Sequence, residues 1–233
     1  MKEEHTSSRI DRFKPLTYLA LGDSYTIGEG VIRNESFPYQ LVAELQKHHL
    51  SFHSPTIIAQ TGWTTRELME GIAHAQVSDH SYDLVTLLIG VNNQYRGLKQ
   101  DEFQQDFEKL LELAIQFGGG CPERVIVLSI PDWGVTSFAE GIKISLKKIT
   151  MEIDQFNKIC QTVSEQKRVN YLDITEEYRK IGGSPENQVD DQLHPSRNIY
   201  RRWAKSLTKI IFSEMNFDLS DIPNFLHQDK EKK

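Results

Sequence analysis

The sequence predicts an α/β fold in three layers, with helices on both faces of a central parallel sheet. Short apolar runs alternate along the whole chain with longer segments whose apolar residues recur every three or four positions. This alternation is typical of a parallel sheet wrapped by helices. Several apolar runs are also followed directly by polar residues, at the sheet edge where such folds carry their ligand sites. We therefore expect an α/β/α sandwich.

Short apolar runs that stop at turn-forming or polar residues predict the strands. In chain order, the predicted strands are Thr17–Leu21, Thr56–Ala59, Leu84–Ile89, Val125–Ser129 and Asn170–Leu172. Because parallel strands joined by right-handed crossovers end on the same side, the loops that follow them should converge at one edge.

Apolar residues at helical spacing predict the helices between these strands. Phe103, Phe107 and Leu110 show the pattern within one of them. The predicted helices are Pro38–His48, Thr65–Ala75, Asp101–Phe117, Ile144–Glu165 and about Arg197–Met215. The glycines and the proline of residues 118–122 end the third helix.

The two ends of the chain are more polar than the rest. We expect residues 1–13 to form a polar arm, residues 14–216 one domain, and residues 217–233 a polar tail. A chain of 233 residues can bury one substantial core. No internal repeat or linker divides the sequence, so we interpret it as a single domain.

Composition excludes several classes of protein. The net charge of −6 and the lack of a basic stripe argue against a nucleic-acid partner. No apolar window approaches a membrane span, and the first residues do not resemble a secretory signal. Cys121 and Cys160 provide neither a disulfide framework nor metal-ligand spacing. We expect a cytoplasmic protein without a metal, and composition sets no oligomeric state.

A serine near the start and a histidine near the end carry the chemistry. Ser24 follows the first predicted strand, and Asp191 precedes His194 by three residues, so that one turn can bring the carboxylate to the imidazole. A serine, a histidine and an acid that orients the histidine are the parts of an activated nucleophile. Two alternatives remain open: Ser24 as a simple helix cap, and Asp190 as the acid.

Four sequence blocks, each just after a predicted strand or before the last helix, resemble the SGNH hydrolase superfamily, also called the GDSL esterases and lipases. The blocks are Gly22-Asp23-Ser24, Gly62 with Thr64, Gly90-Val91-Asn92-Asn93, and Asp191-Gln192-Leu193-His194. The resemblance spans about residues 16–215. It implies a flavodoxin-like sheet of strand order 2-1-3-4-5.

The resemblance also implies a role for each block. Ser24 would attack a carbonyl, His194 would take its proton, and Asp191 would orient His194. The backbone N–H groups of Ser24 and Gly62 and the side-chain amide of Asn92 would form an oxyanion hole. Fixed donors at such a position stabilise the negative charge of a tetrahedral intermediate by about 3 kcal/mol each.

Two residues depart from the family pattern. Asn93 stands where the family usually has aspartate, and we expect it to support its loop, since an amide also forms hydrogen bonds. Physical reasoning leaves Asn93 open as an alternative to Asn92 for the oxyanion donor. Tyr25 stands where the motif name has leucine.

Four side chains are candidates for the substrate pocket, with core packing as the alternative for the aromatic ones. They are Tyr25, Trp63, Gln94 and Trp133.

The resemblance implies serine-dependent hydrolysis of a small-molecule carboxylic ester through an acyl-serine, without a cofactor. We expect short acyl chains, because the sequence shows no long apolar lid. One alternative is removal of acetyl groups from a carbohydrate. An alternative of another class is a non-catalytic binding module on the same fold.

Overall fold

The computed structural model describes residues 15–75, 77, 81–142 and 144–215. Within these ranges, five parallel strands form one sheet of order β2-β1-β3-β4-β5. The strands are β1 (Tyr18–Gly22), β2 (Thr56–Ala59), β3 (Leu84–Leu88), β4 (Val125–Leu128) and β5 (Asn170–Leu172). The predicted strand order is therefore confirmed. The expected arm (1–13) and tail (217–233) lie outside the described residues.

Helices connect the strands and cover the sheet. Those of ten residues or more are α2 (Phe37–Lys47), α3 (Thr65–His74), α5 (Gln100–Phe117), α7 (Leu146–Lys167) and α9 (Arg197–Glu214). Shorter helices are α1 (Ser24–Ile27), α4 (Val91–Tyr95), α6 (Ser137–Glu140) and α8 (Thr175–Ile181).

The direction of each crossover assigns the long helices to two layers. The connection from β1 to β2 runs toward one edge of the sheet, whereas the next three run toward the other edge. Right-handed crossovers therefore place α2 on one face and α3, α5 and α7 on the opposite face. Consistently, α9 packs against α2, while α5 packs against both α3 and α7. The result is the predicted α/β/α sandwich.

The core lies on both faces of the three inner strands. Every residue of β1, β3 and β4 is buried, whereas the edge strands β2 and β5 are partly exposed. One buried polar pair joins two strands, because the Tyr18 and Thr86 hydroxyls lie 2.7 Å apart. Continuous apolar strands are expected in a parallel sheet that helices cover on both sides.

The carboxyl ends of β2, β1 and β3 lie side by side. Gly22 is in register with Ala59 on one side and with Leu88 on the other. A Cβ at Gly22 would collide with the Thr26 hydroxyl and the Leu88 carbonyl oxygen, so a glycine is needed there. The chain can then turn closely over β3 and deliver the residues after Gly22 to the centre of this edge.

Candidate active site

Ser24 is the first residue of α1, directly after β1. The residue before it, Asp23, caps this helix, and its Oδ1 accepts a hydrogen bond of 3.0 Å from the Tyr25 N–H. Ser24 is 4% exposed. The side chain that forms the cap is therefore that of Asp23, and the Ser24 hydroxyl makes a different contact.

That contact is with His194. Ser24 Oγ lies 2.9 Å from His194 Nε2, and His194 Nδ1 lies 2.6 Å from Asp191 Oδ2. The three side chains thus form one continuous hydrogen-bonded chain, although Ser24 and His194 are 170 residues apart in sequence. Asp190, the alternative acid, is exposed beside this chain.

A tight turn before α9 sets the geometry of Asp191 and His194. Asp191 Oδ1 accepts the backbone N–H groups of Leu193 and His194 at 2.8 and 2.9 Å. Gln192 has a left-handed backbone (φ 61°), and its carbonyl accepts the Phe138 N–H. One carboxylate therefore holds both the backbone and the ring of the histidine, as the three-residue spacing predicts.

The pKa values of the two carboxyl groups at the site, Asp191 and Asp23, are shifted in opposite directions. Partial burial raises the pKa of Asp191, but hydrogen bonds from the His194 ring and from two backbone N–H groups outweigh it and hold the pKa below its usual range. At Asp23, complete burial dominates and raises the pKa to about 7. Asp191 is thus a charged partner for the imidazole, while Asp23 carries its proton at mildly acidic pH.

Gly62 and Asn92 follow the strands on either side of β1. Gly62 has φ +87°, a left-handed conformation that favours glycine. Space around Gly62 does not require a glycine, because among the described residues beyond its chain neighbours a Cβ there would come within 4 Å of Arg96 Nη2 alone, at 3.8 Å. The Asn92 Nδ2 donates to the Trp63 carbonyl oxygen over 2.9 Å, so the two blocks are in direct contact.

Asn93 points to a different partner. Its Oδ1 accepts the Thr65 N–H at 3.0 Å, and its Nδ2 donates to the Thr65 hydroxyl at 2.8 Å. The residue is 3% exposed. Both ends of this amide are therefore engaged in joining α4 to the start of α3.

Two residues that the sequence reasoning did not single out join the same loop. Arg96 donates to the Gly62 carbonyl oxygen (2.5 Å) and to Glu67 (3.2 Å), and Glu67 accepts the Thr64 N–H in the capping box of α3. The Thr64–Glu67 spacing is a sequence signal for the cap. Arg96 directly follows α4, four residues after Asn92, and only the fold brings it to Gly62.

The pocket candidates are placed differently from expectation. Tyr25 and Trp133 are each 2% exposed, so the core-packing alternative describes them better than a pocket wall. The Tyr25 ring packs edge-on against the rings of His194 and Trp203. Gln94 is buried as well, and its Oε1 accepts the Trp133 indole N–H at 2.7 Å. Of these three residues, Tyr25 is the one whose ring packs against His194.

Trp63 is half-buried and does line a cavity. The groove, about 420 Å³, lies between Trp63 and the face of α3 that carries Glu67, Glu70, Gly71 and His74. The Trp63 ring lies so close over Gly71 that a Cβ there would collide with it. A second cavity, about 270 Å³, lies beyond β5 near Arg179 and Asp173.

Within the described ranges, no three histidine, cysteine or acidic side chains are grouped so as to hold a metal ion. No described helix combines the length and the apolar character needed to cross a bilayer.

Residues 20–202 match the model of the GDSL-like lipase/acylhydrolase family. No sequence match to a curated protein was found.

Solved structures share the fold at low sequence identity. TesA is 17% identical over 84% of this chain and 97% of its own, with a TM-score of 0.65. The lipase/acylhydrolase from Enterococcus faecalis is 18% identical over 84% and 95%, with a TM-score of 0.63. Axe2, an acetylxylan esterase from Geobacillus stearothermophilus, is 17% identical over 84% and 94%, with a TM-score of 0.64.

Proposed function

The chain belongs to the GDSL-like lipase/acylhydrolase family and is a hydrolase, and from this premise we propose that it cleaves carboxylic esters through an acyl intermediate on Ser24. The observation that carries the proposal is the chain of short contacts from Ser24 Oγ through both nitrogens of His194 to Asp191. A serine hydroxyl is a weak nucleophile by itself and needs such a base. A non-catalytic binding module would not need this chain.

In the proposed reaction, Ser24 Oγ attacks the ester carbonyl carbon while its proton passes to His194 Nε2. Asp191 accepts the Nδ1–H bond, which fixes the tautomer and stabilises the imidazolium. The tetrahedral intermediate then expels the alcohol, which takes the proton from His194. A water molecule attacks the acyl-serine in the same way, and the carboxylic acid leaves with Ser24 restored.

The donors proposed for the oxyanion are the backbone N–H groups of Ser24 and Gly62 and the Asn92 amide. Ser24 is the first residue of α1, where the N–H has no acceptor within the helix. One N–H of the Asn92 amide is fixed by the Trp63 carbonyl, which leaves the other to point at the substrate. Developing negative charge would thus meet donors that are already oriented.

Short acyl esters of small molecules are the proposed substrates. A second candidate is the removal of acetyl groups from a carbohydrate. The groove beside Trp63 favours it, because a half-buried indole flanked by Glu70 and His74 offers a flat apolar face with polar groups around it. Trp63 directly follows Gly62 and so connects the groove to the proposed oxyanion donors along the chain, while the groove itself is lined by Trp63 and residues of α3.

Ser24→Ala tests the proposed function. We expect p-nitrophenyl acetate turnover to fall by at least about 10⁴-fold, since the nucleophile is lost. Ser213→Ala, on the exposed face of α9, should match wild type. A phosphonate ester should label wild type on Ser24 by mass spectrometry and leave the variant unlabelled. Turnover that survives in folded Ser24→Ala, checked by circular dichroism, would refute the acyl-serine.

A further inference from the structure

We propose that Arg96 is the positioning residue of the oxyanion hole, acting through Gly62. Its guanidinium holds the Gly62 carbonyl and so fixes the Gly62–Trp63 peptide plane. Together with the bond from the Trp63 N–H to the Gln60 carbonyl, which closes the turn around Gly62, this limits the directions in which the Gly62 N–H on the preceding peptide plane can point. This inference rests on the proposed function, which gives that N–H its task.

The first observation is a two-pronged contact. Arg96 Nη2 donates to the Gly62 carbonyl oxygen over 2.5 Å, and Nη1 donates to Glu67 Oε1 over 3.2 Å. A guanidinium is planar and its N–H groups have fixed directions, so two such bonds define the position of both acceptors relative to each other. The contact thus ties the Gly62 backbone to helix α3.

The second observation is that the segment from Gly62 to Thr64 is also held at its Thr64 end. The remaining oxygen of Glu67, Oε2, accepts the Thr64 N–H and the Thr64 hydroxyl, each at 2.8 Å. Between these ends, the Asn92 amide holds the Trp63 carbonyl. Asn92 on α4 and Arg96, the residue directly after α4, therefore donate to two consecutive carbonyls from side chains four residues apart.

The third observation is that packing does not hold Gly62. The residue is only half-buried, and a Cβ placed on it would find Arg96 Nη2 as its sole neighbour within 4 Å outside the adjacent residues of the described chain. Glycine at φ +87° has wide backbone freedom. A donor N–H that must be preorganised needs tethers. The backbone provides one through the bond of 3.2 Å from the Trp63 N–H to the Gln60 carbonyl, and Arg96 provides a second from its side chain.

Three measurements distinguish this positioning role of Arg96 from substrate binding and from a purely structural role. A side chain that binds the substrate would change KM, and one that only stabilises the fold would change the melting temperature. Loss of a preorganised donor lowers kcat, because the bond it weakens is strongest in the transition state.

The test uses Arg96→Gln, Arg96→Lys and Arg96→Ala in the full chain, with Arg201→Gln on α9 as the matched exposed control. For p-nitrophenyl acetate, we expect kcat to fall at least about tenfold in Arg96→Gln with KM within about twofold, since complete loss of one donor costs about 10²–10³. Arg96→Lys should lose a similar factor, because an ammonium keeps the charge but lacks the planar fork. Arg201→Gln should match wild type.

Chemical rescue of kcat provides a measurement that a purely structural role of Arg96 would not affect. Guanidinium chloride at tens of millimolar should restore a measurable part of kcat in Arg96→Ala and none in Ser24→Ala. Wild-type kcat in Arg96→Gln, full activity in Arg96→Lys, or a change confined to KM would each overturn the inference. A wild-type protein without esterase activity would instead overturn the proposed function.

Discussion

Asp23 is a buried carboxyl group within the turn that presents Ser24. Its Oδ1 caps α1, while its Oδ2 is buried without a hydrogen-bond partner in the described part of the chain. Burial raises the pKa of Asp23 to about 7. Between about pH 4 and pH 7, Asp23 is therefore protonated in the folded protein but ionised in the unfolded chain.

We expect Asp23→Asn to change how stability depends on pH. For a raised carboxyl pKa, the contribution of Asp23 to stability is full below about pH 4 and is lost as the pH rises to about 7. The free energy of unfolding of wild type, relative to Asp23→Asn, should thus fall across this window, by at most about 1.4 kcal/mol per pH unit.

Urea unfolding of both proteins at half-unit steps from pH 4.5 to 8.5 measures this difference. Asp190→Asn, at an exposed position, is the matched control and should follow wild type. A difference between wild type and Asp23→Asn that stays constant over the range would show that Asp23 does not titrate there.

At the residue scale, the sequence predicted contacts between side chains that lie a few positions apart in the chain. Asp191 and His194, three positions apart, lie in one turn, and in the structure they form one hydrogen-bonded chain with Ser24. Their catalytic roles stay a prediction. Arg96 could not be found this way, because its acceptor lies on another loop, 34 residues away.

Helix α4 carries two neighbouring asparagines with different tasks. Asn92 donates one amide hydrogen to the Trp63 carbonyl, and the other is the one proposed for the oxyanion, whereas both ends of the Asn93 amide are bonded to Thr65. We expect Asn92→Ala to lower kcat by about a hundredfold or more with little change in KM. Asn93→Ala should mainly lower the melting temperature, since it leaves the buried Thr65 N–H without its acceptor.

Steady-state kinetics with p-nitrophenyl acetate and thermal unfolding distinguish the two effects, with each variant serving as the control for the other. If Asn93→Ala proved the costlier in kcat, the oxyanion donor would have to be reassigned to that residue.

At the element scale, the sequence predicted every strand and long helix to within two residues at each end. Gly22 and Gln100 extend β1 and α5 by one residue, and α7 begins at Leu146 instead of Ile144. Such differences are expected, because helix and strand ends depend on terminal hydrogen bonds. The short helices α1, α4, α6 and α8 were not predicted, since helices of 4 to 7 residues are too short to show a periodic pattern.

At the scale of the whole molecule, strand order explains why distant loops meet. β1 lies between β2 and β3, so the segments that follow these strands emerge together. The sequence could predict this edge, but it could not predict which aromatic side chains face outward there. Tyr25 and Trp133 were candidates for the pocket with core packing as the alternative, and both are buried; the sequence alone could not distinguish the two, because an apolar residue near a site can serve either purpose.

The surface around this edge leads us to expect a preference for short acyl chains. The apolar side chains nearest the nucleophile are already packed, whereas Tyr95 and Leu98 are 53% and 41% exposed on the open surface after β3. An acyl chain lying on such a surface is only partly buried, so each added CH₂ gains less than the roughly 0.8 kcal/mol of full burial. It also loses conformational freedom when it is ordered there.

We therefore expect kcat/KM to be higher for acetyl and butyryl esters than for octanoyl and palmitoyl esters of the same p-nitrophenol. Keeping the alcohol constant isolates the acyl group, and concentrations below micelle formation keep the substrate monomeric. Tyr95→Ala should leave acetyl hydrolysis unchanged, because a two-carbon acyl group does not extend over the surface after β3. A kcat/KM that climbs steadily to palmitoyl would mean that the acyl chain finds a buried path, and the catalytic assignment of Ser24 would stand unaffected.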